Sequence, residues 1–307
     1  MKGIVAFVDT VHEILEERLT KAGYHCIDFT SKSLEELEAS AKDFTGIVIR
    51  SRFPMNRPFL KKCSQLKWLA RSGAGLENID LNACDELGIT VHSSPEGNQQ
   101  AVAEHALGML LNMLNKIIPA TISVSQGKWD RELHRGKELS GRSVGIIGYG
   151  HMGQSFAQLL KAFSCKIYAY DKYKTVEEEG IINCTLEELK QHAEIISLHL
   201  PQSSETHHFI NEDFISDLVH PIYVINTARG KHLSSEALLK GIETGKVMGA
   251  ALDVLEYESS SFGKLNNNET YQNLIHNNRI IITPHVAGWT VESYFKLSNV
   301  LADKILA

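Results

Sequence analysis

Short apolar runs alternate with helical patterns along nearly the whole chain. Ile4–Val8, His25–Asp28, Ile47–Ile49, Trp68–Ala70 and Ile89–His92 read as strands. Between them, Val11–Ala22 and Leu34–Ala41 carry apolar residues at helical spacing. A second series of strands follows at Val144–Ile147, Lys166–Tyr170, Ile195–Leu200, Tyr223–Asn226, Gly249–Val254 and Arg279–Thr283. Strand–helix alternation of this kind predicts parallel sheets with helices on both faces, and two series predict two α/β domains. Between the series, Val102, Ala106, Met109, Leu110, Met113, Leu114 and Ile117 mark a helix over Gln99–Ile118. Polar residues and glycines from Pro119 to Arg142 predict a connecting arm, and Val291–Leu306 a terminal helix. Weak periodicity over Tyr257–Asn278 predicts a long loop of the kind usually found at a functional site or interface.

Composition narrows the classes. The chain has 307 residues, enough for two domains with cores of their own, and a net charge of −6 with no basic run. That argues against nucleic acid as a partner. No apolar stretch reaches the length of a membrane span. Five scattered cysteines without CxxC spacing predict free thiols in a reducing, cytoplasmic setting and no zinc site.

The sharpest motif is Gly148-Tyr149-Gly150-His151-Met152-Gly153. It follows a predicted strand and opens a helix with apolar Phe156, Leu159, Leu160 and Phe163. Gly148 permits the tight turn, Gly150 lets backbone approach a pyrophosphate, and Gly153 lets the helix pack close to its strand. His151 and Met152 lie inside that loop. Asp171 ends the next strand eighteen residues after Gly153, where a carboxylate bonds ribose hydroxyls and repels a 2′-phosphate. NAD is therefore the expected cofactor. A methyltransferase can begin in a similar way, so the remaining residues must decide.

Open α/β sheets bind ligands beyond the carboxyl ends of their strands. Arg50-Ser51-Arg52, Ser72-Gly73-Ala74-Gly75, His199-Leu200-Pro201, Thr227-Ala228-Arg229-Gly230, Asp253–Glu258 and Pro284-His285 all fall at such ends. His199, Pro201, Thr227 and Ala228 are expected to line the cofactor. Arg229, Glu258 and His285 could fill the three roles that hydride transfer to a 2-keto acid requires. The cation grips the carboxylate, the imidazole handles the proton, and the acid keeps the imidazole oriented and charged.

From Arg50 to Trp289 the chain resembles the D-isomer-specific 2-hydroxyacid dehydrogenase family. The resemblance rests on GIIGYGHMG with Asp171, LHLPQSSET, INTARG, ALDVLEYE and TPHVAGWT, in that order. It implies that Arg229, Glu258 and His285 are catalytic. It also implies that Asp253 binds the nicotinamide amide, and that backbone N–H groups of Ala74 and Gly75 hold the substrate carboxylate. The implied architecture is a Rossmann NAD-binding domain (99–284, with a dimerisation helix and arm at 99–142) inserted into a flavodoxin-like substrate domain (1–98 and 285–307). A homodimer is implied as well. Ser259 stands where many relatives have proline, and the loop at 259–278 is unusually long.

Arg50 and Arg52 resemble a stretch of the 3-phosphoglycerate dehydrogenase branch, and two guanidinium groups can fork a phosphate. The expected reaction is thus oxidation of 3-phosphoglycerate to 3-phosphohydroxypyruvate in serine biosynthesis. The alternatives are a reductase of glyoxylate, hydroxypyruvate or another small 2-keto acid and, in a different class, an NAD-sensing corepressor-like binding protein.

Overall fold

The structure is a computed structural model and describes residues 2–258 and 268–307. It divides into two units. The first comprises Met1–Gln99 and Trp289–Ala307, and the second Gln100 onward through Gly288. The sequence placed the return to the first unit at 285, and the structure places it at 289, which leaves His285 within the second unit.

The first unit is built on five parallel strands: β1 (Gly3–Phe7), β2 (Tyr24–Asp28), β3 (Phe44–Ile49), β4 (Trp68–Arg71) and β5 (Thr90–Ser93). Their order is β2-β1-β3-β4-β5. Alternating residues of β1 feed two cores, as the two-residue period of a strand requires. Val5 and Phe7 pack with Leu15, Leu19 and Leu301, whereas Ala6 joins Leu37, Ile47 and Leu69 on the other face. Every residue of β3 is buried, as expected of a central strand covered by helices on both sides.

The second unit holds seven parallel strands: β6 (Ser143–Ile147), β7 (Lys166–Tyr170), β8 (Ile181–Asn183), β9 (Ile195–Leu198), β10 (Ile222–Asn226), β11 (Val247–Leu252) and β12 (Ile280–Ile282). Their order is β12-β11-β10-β9-β6-β7-β8. The chain leaves β6 for β7 and β8 on one side, then returns to β9 on the other. This is the doubly wound pattern, with its switch point between β6 and β9. β8 was not expected from the pattern of apolar residues, because three residues at a sheet edge give no periodicity to read.

Helix boundaries also differ. The helix expected over Gln99–Ile118 starts earlier, at Pro95, and stops at Asn115. Lys116 adopts left-handed backbone (φ 54°), and a second helix, Ile117–Ser125, begins after it. Part of the expected arm is therefore helical. Within the stretch predicted as a loop, Glu269–Ile275 forms a helix capped by the Asn268 side chain. Residues 259–267 of that loop lie outside the described residues.

Candidate dinucleotide and catalytic site

The turn after β6 is shaped by its glycines. Gly148 has φ 91°, and a Cβ there would stand 2.6 Å from the His199 carbonyl oxygen. A Cβ on Gly153 would lie 2.2 Å from the Gly148 carbonyl oxygen. Above Gly150 there is open space. Gly150 is also the N-cap of the helix His151–Lys161, and no side chain caps that end. The positive end of the helix dipole therefore favours an anion at that turn.

Asp171 sits where the sequence placed it. Its two oxygens accept the main-chain N–H groups of Tyr149 (2.8 Å) and Tyr173 (3.0 Å). That fixes the carboxylate and leaves lone pairs for ribose hydroxyls. Two polar atoms near the switch point are buried without partners among the described residues, Thr227 Oγ1 and His199 Nδ1. The other ring nitrogen of His199 lies 2.8 Å from Ser197 Oγ, and burial pushes the imidazole pKa down to about 4, so the ring is neutral near pH 7.

At the carboxyl end of β10, buried Asn226 shapes the turn. Its Oδ1 accepts the Ala228 N–H and its Nδ2 donates to the Arg229 carbonyl. Gly230 follows because a Cβ there would fall 1.9 Å from the Leu255 carbonyl carbon. The two strand-end loops are thereby pressed together, with Arg229 on one and Asp253–Glu258 on the other.

His285 and Glu258 meet. Nδ1 of the imidazole is 2.7 Å from Glu258 Oε2, and both side chains are largely buried. Glu258 Oε1 accepts the Leu255 N–H, which holds the carboxylate in place. His285 itself has φ 55°, an uncommon conformation for a residue with a Cβ. Its N–H donates to the Asp253 carbonyl at 2.8 Å.

The Asp253 carboxylate has a structural task that the sequence did not announce. Its residue is 2% exposed, and its oxygens accept the N–H groups of Val286 (2.9 Å) and Ala287 (2.8 Å) and the hydroxyl of Thr283 (2.5 Å). The group expected on the nicotinamide amide clamps the loop that carries His285. His105 adds to the clamp from the helix Pro95–Asn115, with Nε2 3.0 Å from Thr283 Oγ1. Neither Thr283 nor His105 was singled out for this role. Only the spacing of TPH after the strand hinted at it.

These features decide the family. Residues 107–287 match the family described as "D-isomer specific 2-hydroxyacid dehydrogenase, NAD binding domain". The chain belongs to that family. It is an NAD-dependent dehydrogenase, and the uncapped helix end, open Gly150 and fixed Asp171 fit that cofactor. The chain is 34% identical to a hydroxypyruvate reductase of Thermotoga maritima, over 91% of this chain and 90% of that protein. It is 31% identical to a D-3-phosphoglycerate dehydrogenase of Bacillus subtilis over 91% of this chain, and spans only 52% of that relative's length. A D-lactate dehydrogenase of Aquifex aeolicus, solved with NAD and lactic acid, superposes with a TM-score of 0.82 at 29% identity, covering 99% of this chain and 94% of that one.

In the first unit of this dehydrogenase, Ala74 and Gly75 follow β4, and their N–H groups have no partner among the described residues. Arg50 follows β3, stacked on Trp289. Arg52 departs from the expectation of a phosphate ligand. Its guanidinium donates to the carbonyls of Val8 (3.2 Å), Phe29 (2.9 Å) and Lys32, and lies over the Phe53 ring. A guanidinium spent on three carbonyls has little left for a phosphate.

Proposed function

We propose that the chain interconverts a D-2-hydroxyacid and its 2-keto acid. The observation that carries this is the His285–Glu258 pair, held at 2.7 Å on a clamped loop. Bound NAD would supply the hydride acceptor. In the oxidation direction, Nε2 of neutral His285 takes the hydroxyl proton while the hydride leaves C2. Glu258 accepts the Nδ1 hydrogen bond and stabilises the imidazolium that forms. Arg229 grips the substrate carboxylate, together with the N–H groups of Ala74 and Gly75. In the reduction direction the same imidazolium returns the proton to the alkoxide.

Among substrates, the geometry favours an unphosphorylated 2-keto acid. The phosphate site of the phosphoglycerate reading needed a pair of arginines, and Arg52 is committed elsewhere, although Pro95–Asn98 and Lys128–Leu139 also resemble that branch. The name of the Thermotoga maritima relative points the same way. The second reading, 3-phosphoglycerate oxidation, keeps support from Arg50 and from the Bacillus subtilis relative. NAD-linked turnover on 3-phosphoglycerate, D-glycerate, D-lactate and glyoxylate tests both. A phosphorylated acid leading by ~100-fold in kcat/KM, or ~2.7 kcal/mol, restores the second reading. No turnover on any acid, with tight NADH binding, favours the corepressor.

We further infer a homodimer in a reducing, cytoplasmic setting. Ile117, Ile118, Ile122 and Val124 of the helix Ile117–Ser125 are exposed, as are Trp129 and Leu133 beyond it. Apolar side chains in such density call for a cover, and a second copy of the chain supplies one. All five cysteines are free, and burial raises the Cys63 thiol to about 12, so it stays protonated.

A further inference from the structure

Glu258 lies on a turn that closes on itself. The Leu255 N–H donates to its carboxylate, and its own N–H donates back to the Leu255 carbonyl at 3.2 Å. These bonds set the shape of the turn but not its place on the sheet. Leu255 is buried in the core, and Gly230 crowds the turn so closely that a Cβ there would stand 2.3 Å from the Glu256 nitrogen. The Tyr257 ring lies 6.2 Å from that of Tyr271. The polar anchor is Glu256, which the catalytic set does not use.

Glu256 Oε1 accepts the Ser235 N–H at 2.8 Å. Ser235 is the first residue of the helix Ser235–Glu243, so the carboxylate takes up one of the amides that a helix start leaves over, at the positive end of its dipole. Oε2 lies 2.8 Å from His208 Nε2. The main-chain N–H of His208 donates to the Lys231 carbonyl at 2.7 Å, in the connection that leads from β10 into the same helix. His208 has φ 48°, and its ring faces that of His207 at 4.1 Å. One carboxylate thus joins three segments: the turn of Glu258, the helix start and the loop after β9. Only 17% of the Glu256 side chain is exposed. Burial works against its charge, yet the bonds from Ser235 and His208 outweigh it and hold the carboxyl below its ordinary pKa. Both oxygens are spent on fixed partners, which leaves the group a task of position rather than of chemistry.

We propose that Glu256 is a positioning residue: bound to Ser235 and His208, it holds the turn where Glu258 reaches His285. Its effect on turnover rests on the dehydrogenase reading. The assay uses whichever of 3-phosphoglycerate, D-glycerate, D-lactate and glyoxylate the parent turns over fastest. Glu256→Ala should lower kcat ~10-fold with little change in KM, because a displaced Glu258 serves the imidazolium less well. Glu256→Gln keeps an acceptor for Ser235 and should recover most of the loss. Added to Glu258→Gln, Glu256→Ala should cost nothing more, since it acts through a group already neutralised. An equal cost in both backgrounds overturns the assignment, as does an unmoved kcat. Ser235→Pro removes the donor without touching the turn, because proline lacks the N–H and suits the first position of a helix. Hydrogen exchange followed by mass spectrometry reads the turn without turnover. Amides over 253–258 should exchange ~10-fold faster in Glu256→Ala and in Ser235→Pro, while those of β6 and β7 keep their rates. Unchanged exchange there, or a rise spread over the whole chain, overturns the proposal. If no acid turns over but exchange rises over 253–258 alone, the anchor stands and the dehydrogenase reading falls. Turnover by the parent, with kcat and exchange unmoved in both variants, does the reverse.

Discussion

Acidification should destabilise this protein through one buried ring. His199 lies beside the glycine turn, with Nδ1 buried and unpartnered and Nε2 on Ser197. Part of the residue reaches the surface, but the nitrogen that must be protonated does not. Its pKa falls from 6.5 to about 4 because the charged form would lose its hydration. The unfolded chain binds the proton near pH 6.5, whereas the folded chain resists until about pH 4. This contribution is therefore complete above pH 6.5 and is lost as the pH falls toward 4. The full span is ~3 kcal/mol, of which about 2 kcal/mol disappears between pH 7 and pH 5. Urea unfolding followed by tryptophan fluorescence at pH 7, 6 and 5 reads it, with His199→Asn as the comparison. The other histidines and the carboxylates titrate in both proteins, so the difference between the two slopes isolates His199. If both lose stability in parallel, or if the ring titrates near 6.5 by NMR in the folded protein, the argument from burial fails.

Three further outcomes follow from the site. Glu258→Gln removes the charge that stabilises the His285 imidazolium, so kcat should fall by ~10²–10⁴ with a smaller change in KM, measured by steady-state kinetics. Arg52→Ala should leave the relative kcat/KM of phosphorylated and unphosphorylated acids unchanged while lowering the thermal midpoint, because the guanidinium ties together backbone carbonyls. Asp171→Ala should weaken NAD binding in a fluorescence titration and improve NADP relative to it, since the fixed carboxylate both bonds the ribose and repels a 2′-phosphate.

Much of this was legible in the residues themselves. Strand β7 begins and ends where the apolar run does, and the glycine turn sits between β6 and its helix as the spacing required. Those features are local, set by residues adjacent in the chain. The features that escaped are not local. Arg52 reads as a phosphate ligand until the carbonyls of Phe29 and Lys32, twenty and more residues upstream, are brought to it. The Asp253 carboxylate is spent on amides some thirty residues downstream, and His105 reaches Thr283 across 178 positions. The break at Lys116 escaped because apolar periodicity continues through it, and only the backbone angle records the turn.

The left-handed backbone at His285 carries a further consequence. Asparagine occupies that conformation more readily than histidine does. A chain with His285→Asn should lose its acid–base group and its bond to Glu258, while relieving the backbone at that one position. The catalytic ring is thus held where the polypeptide would rather have another residue, and the clamp from Asp253 is what keeps it there. Backbone preference and turnover then pull in opposite directions at a single position.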